Sequence, residues 1–309
     1  MTERDLIVTA ARDTIALGSQ SFAAASKLFA PTTRERAWLL YAWCRAADDL
    51  TDGQELGHNA APLTNPDTAQ AELEVLTKLA LDSEKQVPPA FQALRLVAQE
   101  TAMPRRFIAD HLAGFALDAA GWRPETTEDL LQYCYHVAGT VGCMMAVVMG
   151  VAPDDDDTLD RACDLGLAFQ LANIARDVVP DALVGRCYLP AQWLREAGLT
   201  ERDLADPRNR AKVALLARHL VEMSRPYRHS ARVGAARLPF RSRLAVLAAD
   251  GIYGAIGEKV FAQGTKAWDQ RVQVNSAGKL ALLALAALRA IAPAPSASRD
   301  GLWTRQRQS

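Results

Sequence analysis

Two groups of polar side chains stand out because their spacing matches the turn of a helix. In the first group, Asp48 and Asp52 are four residues apart, and Arg45 precedes Asp48 by three residues. On a helix this spacing places both carboxylates on one face, within reach of the arginine. The carboxylates follow a strongly apolar segment, where carboxylates are costly unless they are paired or bound to a metal. One such pair alone is more typical of a solvated helix end.

The second group repeats the pattern on a more apolar background. Its members recur every three or four residues, with an arginine beside the third: Gln170, Asn173, Asp177, Asp181 and Arg176. The residues between them are apolar, so this stripe lies on an otherwise buried helix and needs partners. A structural network of ion pairs is one explanation. The other is a site in which oxygen ligands hold Mg²⁺ and the arginines hold phosphate oxygens, and the doubling of the pattern favours it.

The elements that would carry both groups are helices. Apolar residues recur at three- and four-residue spacing, and alternating β-branched runs are nearly absent. The spacing predicts helices over 34–50, 126–150, 157–180, 209–233 and 240–262. Glycine, proline and asparagine predict a loop over 53–66, and no shift of composition marks a domain boundary. We expect one all-α domain over residues 1–292 and a disordered Pro-, Ser- and Arg-rich tail over 293–309.

Two local features qualify the second group. Residues 154–157 are four adjacent aspartates, which point around a helix rather than converge, so they predict favourable charge at a helix N-terminus rather than a metal site. Pro180 lies between Asp177 and Asp181. Proline removes an amide donor and clashes with the carbonyl four residues back, so we expect the helix to kink or end there. Asp181 would then be less well aligned with Asp177.

Composition and charge limit the class of protein. Half of the 309 residues are hydrophobic and the net charge is −1, so no general basic surface indicates a nucleic-acid partner. Five scattered cysteines without C-x-x-C spacing are typical of a reduced, cytoplasmic protein. The most apolar stretch, 280–291, is shorter than the roughly 20 residues that span a bilayer. We expect a cytoplasmic protein, with a peripheral contact to the inner membrane left open.

Together with further segments, these motifs resemble the squalene and phytoene synthases, which are head-to-head trans-isoprenyl diphosphate synthases. The matching segments, in the family's order, are 19–22, 41–52, 133–142, 165–177 and 185–190. The similarity runs from about residue 14 to about residue 271 and is greatest to the bacterial enzymes that make phytoene. The resemblance implies an all-α isoprenoid synthase bundle around a central apolar cavity, with the two aspartate motifs facing each other at its mouth.

The same resemblance implies a role for individual residues. Mg²⁺, or Mn²⁺ in its place, would be bound by Asp48, Asp52, Asn173, Asp177 and Asp181. The diphosphates of the substrates would contact Ser19, Ser21, Arg45, Gln170 and Arg176. The reacting carbons would lie near four tyrosines, Tyr41, Tyr133, Tyr188 and Tyr253.

The reaction implied by the resemblance is the head-to-head condensation of two geranylgeranyl diphosphates. A cyclopropyl diphosphate intermediate would lead to phytoene in carotenoid biosynthesis, with release of diphosphate and without a nicotinamide. One alternative is a sibling enzyme that makes dehydrosqualene or squalene from farnesyl diphosphate. Another is a non-catalytic assembly factor of the same fold, although such a relative should show eroded aspartates and the four here are intact. The last alternative is a helical scaffold protein whose acidic faces arise by chance.

Overall fold

The computed structural model describes residues 2–52 and 66–307, and this part of the chain is built from helices without a strand. The α-helices are α1 (Glu3–Gly18), α2 (Gln20–Ser26), α3 (Pro31–Asp52), α4 (Pro66–Asp82), α5 (Pro89–Thr101), α6 (Arg105–Ala119), α7 (Thr127–Cys134), α8 (Thr140–Val148), α9 (Asp156–Leu183), α10 (Ala191–Ala197), α11 (Arg210–Ala235), α12 (Phe240–Gln263) and α13 (Ser276–Ile291). A π-helical segment, Tyr135–Gly139, joins α7 to α8. The all-α prediction is confirmed.

The predicted helices are present, with two differences of detail. The stretch predicted as one helix over 126–150 is α7, the π-helical segment and α8 in succession. Helix α9, predicted over 157–180, continues through the exposed Pro180 and ends three residues later at Leu183, so its end lies within one turn of the proline. The loop predicted over 53–66 lies outside the described residues, apart from Pro66, where α4 begins.

The chain divides into two compact units. Unit 1 comprises Met1–Trp122, Met144–Asp155 and Leu238–Ala245. Its helix α3 packs against α1, α4 and α5. The Trp43 side chain of α3 is completely buried, and its indole Nε1 donates to the Thr77 hydroxyl at 3.4 Å. This apolar anchoring fixes the segment of α3 that leads into the first aspartate motif.

Unit 2 comprises Arg123–Cys143, Asp156–Arg237 and Val246–Ser309, and its core is the pairing of α9 with α11. On its other side, α9 meets the π-helical segment at a close backbone contact. A Cβ atom at Gly166 would lie 2.3 Å from the carbonyl oxygen of Ala138 and 2.7 Å from Cα of Gly139. Only a residue without a side chain fits there, and π-helical segments are frequent at functional sites. The approach fixes α9 against the segment that follows α7.

A buried ion triad ties α12 to α11 within unit 2. The Asp250 side chain is 1 % exposed, and its carboxylate oxygens accept from Arg228 Nε at 2.6 Å and Arg232 Nε at 2.8 Å. A buried carboxylate is tolerated only when it is paired in this way. The triad lies one turn before Tyr253 on α12.

The segment after α13 differs from the disorder that its composition predicts. Residues 297–307 lie along the first half of α9, where Arg299 Nε is 2.8 Å from Asp164 Oδ2. The Arg305 side chain is fully buried and pairs with Asp160. The arginines on which the prediction of a disordered tail rested instead neutralise buried aspartates in the core of unit 2. The single domain predicted over residues 1–292 stays a prediction.

One helical stretch, Thr127–Val148, is by length and composition apolar enough to cross a membrane. Most of its apolar window is buried inside the protein, as in the core helix of a water-soluble fold. This finding is weak evidence for a membrane span.

Candidate active site

The polar stripe of α9, which we define as Gln170, Asn173, Asp177 and Asp181, lies on the partly exposed side of the helix. These four residues and Arg176 are half-buried, whereas the intervening apolar residues Leu171, Ala172, Ile174, Ala175 and Val178 are buried. The helical spacing predicted from the sequence therefore brings the five polar residues together. Their polar atoms remain accessible to a ligand on a helix that is otherwise packed into the core.

Arg176, which lies beside the polar stripe, forms a close ion pair with Asp177 of the stripe. The Arg176 guanidinium donates to both carboxylate oxygens of Asp177, with Nε–Oδ1 at 2.9 Å and Nε–Oδ2 at 3.1 Å. Arg271, which follows α12, approaches the same carboxylate at 3.8 Å. Sequence reasoning missed Arg271, since it lies outside any helical pattern and about ninety residues further along the chain. Two cations thus flank one carboxylate, an arrangement that suits an anionic ligand with several oxygens.

Asp181 remains close to Asp177 despite Pro180. Burial, and then the negative charge of Asp177, raise the pKa of Asp181 to about 6. Arg186, in the segment 185–190, acts in the opposite direction on the same carboxyl group. A repulsion between two carboxylates one turn apart is relieved by a divalent cation that binds both. The donor set of Asn173, Asp177 and Asp181 fits Mg²⁺, which accepts one or two carboxylates and completes its shell with water and phosphate oxygens.

Three of the four predicted tyrosines belong to unit 2, where aromatic rings accompany them. The Tyr253 ring of α12 stacks on Phe169, with ring centroids 4.1 Å apart, directly beside Gln170. The Tyr133 ring of α7 stacks on Tyr188 at 5.0 Å. Tyr133 is buried, while Tyr188 and Tyr253 are partly exposed. The structure therefore forms two aromatic pairs, one of which adjoins the polar stripe.

The first aspartate motif lies at the end of α3 in unit 1. Arg45 is close to both neighbouring acids, with Nη2–Asp48 Oδ2 at 3.4 Å and Nε–Asp49 Oδ1 at 3.1 Å. The Asp48 side chain is 44 % exposed, so it is open to a ligand, whereas Asp49 is more buried. Asp52 is the last residue of α3, and its side chain lies outside the described residues. Among the described residues, no three His, Cys, Asp or Glu side chains form a ready metal cluster.

The remaining predicted residues of unit 1 surround the start of α2. Ser19 is the N-cap of this helix, and its hydroxyl accepts from the backbone N–H of Phe22 at 3.3 Å. The Tyr41 ring contacts Phe22 edge-on at 5.5 Å, and burial raises the pKa of its hydroxyl. A Cβ atom at Gly18 would lie 2.7 Å from that hydroxyl. The side chain of Ser21 lies outside the described residues. The functional roles of all these residues stay predictions.

Comparison with known proteins agrees with these motifs over most of the chain. The family model described as squalene/phytoene synthase matches residues 15–277. The chain belongs to the squalene/phytoene synthase family. A relative named 15-cis-phytoene synthase, from Enterobacter agglomerans, is 50% identical over 89% of this chain and 93% of its own length. A second of that name, from Paracoccus sp., is 45% identical over 97% of this chain and 98% of its own length.

Solved structures show the same fold. A dehydrosqualene synthase superposes with a TM-score of 0.81 at 26% identity, covering 92% of this chain and 96% of the other. A squalene synthase from Alicyclobacillus acidocaldarius gives a TM-score of 0.75 at 23% identity, covering 85% of this chain and 95% of the other, and shows the fold alone. The predicted family and the isoprenoid synthase fold are confirmed. The apolar cavity and the facing of the two aspartate motifs stay predictions.

Proposed function

We propose that this protein is a prenyltransferase that condenses two geranylgeranyl diphosphates head to head into phytoene, in carotenoid biosynthesis. The observation that carries the proposal is the polar stripe of α9, in which two carboxylates and two amides share one accessible helix face, with Arg176 paired to Asp177. Membership of the squalene/phytoene synthase family indicates that the substrates are isoprenoid diphosphates. Relatives that are 45–50% identical over most of the chain are named phytoene synthases, which favours phytoene over a thirty-carbon product.

The reaction begins with loss of diphosphate from an allylic carbon, so the protein must stabilise a leaving anion. Arg45 and Arg176 are each placed beside a carboxylate, and their guanidinium groups would bind phosphate oxygens of the substrates. Mg²⁺ held by Asp48, Asn173, Asp177 and Asp181, with Asp52, would neutralise the negative charge that develops on the diphosphate. Ser19, Ser21 and Gln170 would hold further diphosphate oxygens through hydroxyl and amide groups.

The carbocation left behind must be kept from water and guided to the double bond of the second substrate. Aromatic faces stabilise a cation and exclude water, which is the role we assign to the ring pairs Tyr133–Tyr188 and Tyr253–Phe169. Tyr41 would act in the same way beside α2. Attack by the double bond gives a cyclopropyl diphosphate, which ionises in turn, and loss of a proton yields phytoene. The electrons balance without a reductant, so no nicotinamide is required.

Incubation of the purified protein with geranylgeranyl diphosphate and MgCl₂, without nicotinamide, tests the proposal. Phytoene and inorganic diphosphate should form, and EDTA should abolish both products. Replacement of Mg²⁺ by Mn²⁺ should retain activity, since both are hard cations that take oxygen ligands. Turnover of farnesyl diphosphate alone at a higher rate than geranylgeranyl diphosphate would instead support the thirty-carbon alternative. Absence of turnover on either substrate would support an assembly factor.

The metal ligands are tested by charge-neutral replacement. Asp48→Asn and Asp177→Asn should each reduce kcat by at least about 100-fold, because each removes a charge that holds the metal and diphosphate. Their thermal melting should change little, since both side chains are partly exposed. Asp13→Asn is the matched control, since Asp13 is an exposed carboxylate of unit 1 that pairs with the exposed Arg12. Full activity of either site variant would refute the metal assignment.

We also propose that α13 rests on a membrane surface, where the apolar product could be released. One face of this helix exposes an apolar stripe without a charge, made of Ala277, Leu280, Ala281, Ala284, Leu285, Leu288 and Ile291. Lys279 and Arg289 lie beside the stripe, as expected for an amphipathic helix on anionic lipid headgroups. Leu280→Ser combined with Leu288→Ser should abolish co-sedimentation with vesicles of phosphatidylcholine and phosphatidylglycerol. Leu215→Ser, at an exposed leucine of α11, should leave it intact. Equal sedimentation of all variants would contradict the proposal.

A further inference from the structure

The first half of α9 carries a second row of acidic residues along one face of the helix. Asp156, Asp160 and Asp164 follow one another at intervals of four residues. Asp160 and Asp164 are completely buried. Burial raises the pKa of Asp164, although contacts with Arg299 and Ser230 act in the opposite direction. Two buried carboxylates one turn apart require counter-charges, because an unpaired buried charge strongly destabilises a fold.

Residues 297–307, which we call the latch, supply those counter-charges. Arg299 binds Asp164 through two parallel contacts, Nε–Oδ2 and Nη2–Oδ1, each at 2.8 Å. Arg305 Nε lies 2.9 Å from Asp160 Oδ1, and the Arg305 side chain is fully buried. Arg305 also contacts Asp156, and Arg307 contacts Asp160. The two-pronged geometry of an arginine on a carboxylate fixes direction as well as charge.

The latch also reaches the elements on either side of α9. The Trp303 ring lies 5.4 Å from the ring of Tyr135, and its indole Nε1 donates to Glu128 of α7. The backbone N–H of Trp303 donates to the Tyr227 hydroxyl of α11 at 3.3 Å. Tyr135 begins the π-helical segment and lies two residues after Tyr133. One short segment therefore contacts α7, the π-helical segment, α9 and α11.

We propose that the latch is a positioning element, which fixes the register of α9 against the π-helical segment and so places the polar stripe and Tyr133 for the reaction. Gln170 lies six residues beyond Asp164, which is about 9 Å along the same helix. A rotation of α9 at Asp164 would therefore be transmitted to the polar stripe. The expected effect on the reaction rests on the proposed function. The expected effect on the position of α9 rests on the contacts of the latch.

The test separates positioning from simple charge neutralisation by comparing Arg305→Met with the double variant Arg305→Met/Asp160→Asn. The single variant leaves the buried Asp160 carboxylate without one of its arginine partners. The double variant removes that charge and should recover most of the melting temperature. If the latch positions α9, the double variant should still need several-fold more Mg²⁺ for half-maximal phytoene formation. Its amide hydrogens over 128–140 and 170–181 should exchange about tenfold faster than in the unmodified protein.

Three results define the outcome. Arg305→Lys, which keeps the charge, should lie between the unmodified protein and Arg305→Met in exchange rate. Arg195→Met is the control, because it breaks an exposed ion pair with Glu125 elsewhere in unit 2 and should change neither measurement. A double variant that matches the unmodified protein in exchange and in Mg²⁺ requirement would overturn the inference. The hydrogen-exchange rates test the role of the latch even if the unmodified protein makes no phytoene. Phytoene formation tests the proposed function even if the exchange rates of the variants do not change.

Discussion

Replacement of Gly166 by alanine is the most direct test of the contact between α9 and the π-helical segment. The new Cβ atom would lie 2.3 Å from the Ala138 carbonyl oxygen, whereas ordinary contact begins near 3.4 Å. The two backbones must therefore separate by about 1.1 Å (3.4 minus 2.3). The atoms in the way, the Ala138 carbonyl oxygen and Cα of Gly139, belong to the backbone, so they cannot move aside as a flexible side chain would.

The expected cost of Gly166→Ala is the balance of two effects. Overpacking of this kind costs about 1–3 kcal/mol, and alanine recovers up to about 1 kcal/mol of helix propensity. The net loss of about 1–2 kcal/mol should lower the melting temperature by roughly 2–3 °C for a chain of this size. Phytoene formation should also fall, because Gly166 lies one turn before Gln170 and the displacement passes along α9.

Gly257→Ala is the matched control on a neighbouring helix. A Cβ atom there would meet Cβ of Ala172 at 3.5 Å and Cγ1 of Val221 at 3.6 Å, which is ordinary contact. This variant should melt at the same temperature as the unmodified protein or roughly 1–2 °C higher, since only the propensity gain remains. Differential scanning calorimetry of both variants gives the comparison. A Gly166→Ala protein that melts at or above the unmodified protein would refute the close approach.

Three further predictions concern charge and helix continuity. Asp250→Asn strips a buried carboxylate from its two arginine partners and should cost about 3–5 kcal/mol by urea denaturation, whereas Glu258→Gln at a partly exposed pair should cost under about 1 kcal/mol. Pro180→Ala restores an amide donor near the end of α9 and should raise the melting temperature by roughly 2 °C; an unchanged or lower melting temperature would contradict this expectation. The pKa of Asp181 is about 6 in the folded chain against 3.8 for an unperturbed aspartate, so the cost of its ionisation to folding appears as the pH rises from 4 to 6 and persists above pH 6. Asp181→Asn should therefore stabilise the metal-free protein in EDTA by about 1 kcal/mol at pH 7.5, after allowance for solvent screening, and by almost nothing at pH 4.

The sequence was sufficient to predict what depends on short-range periodicity. Helical spacing placed Gln170, Asn173 and Asp177 on one face, and the structure has them there because the spacing is a property of the helix itself. The same reasoning placed Arg45 beside Asp48. The family resemblance then supplied the chemistry that spacing alone left open.

What the sequence did not predict depends on contacts between distant segments. Arg299 and Arg305 lie in a segment whose composition is typical of disorder, and their partners are acids more than a hundred residues earlier. Arg271 reaches Asp177 from a stretch without a helical pattern. In the same way, the run 154–157 predicts charge at a helix start, and α9 does begin at Asp156, but the sequence does not predict the pairing of Asp156 with Arg305. Composition and periodicity describe one segment at a time, so they cannot predict pairings between distant segments.

The two ends of α9 differ in the contacts that hold them, and this difference has a consequence for the proposed reaction. The latch clamps the first half of the helix, while Pro180 cannot donate an amide hydrogen to the carbonyl of Arg176 near its end. Motion during turnover should therefore be confined to the last turn, which carries Asp181. In the proposed reaction, Asp177 would then keep a constant geometry while Asp181 adjusts, as the bound anion changes from an allylic diphosphate to the cyclopropyl diphosphate. If both carboxylates hold the metal as proposed, this arrangement would let a single site serve two successive ionisations.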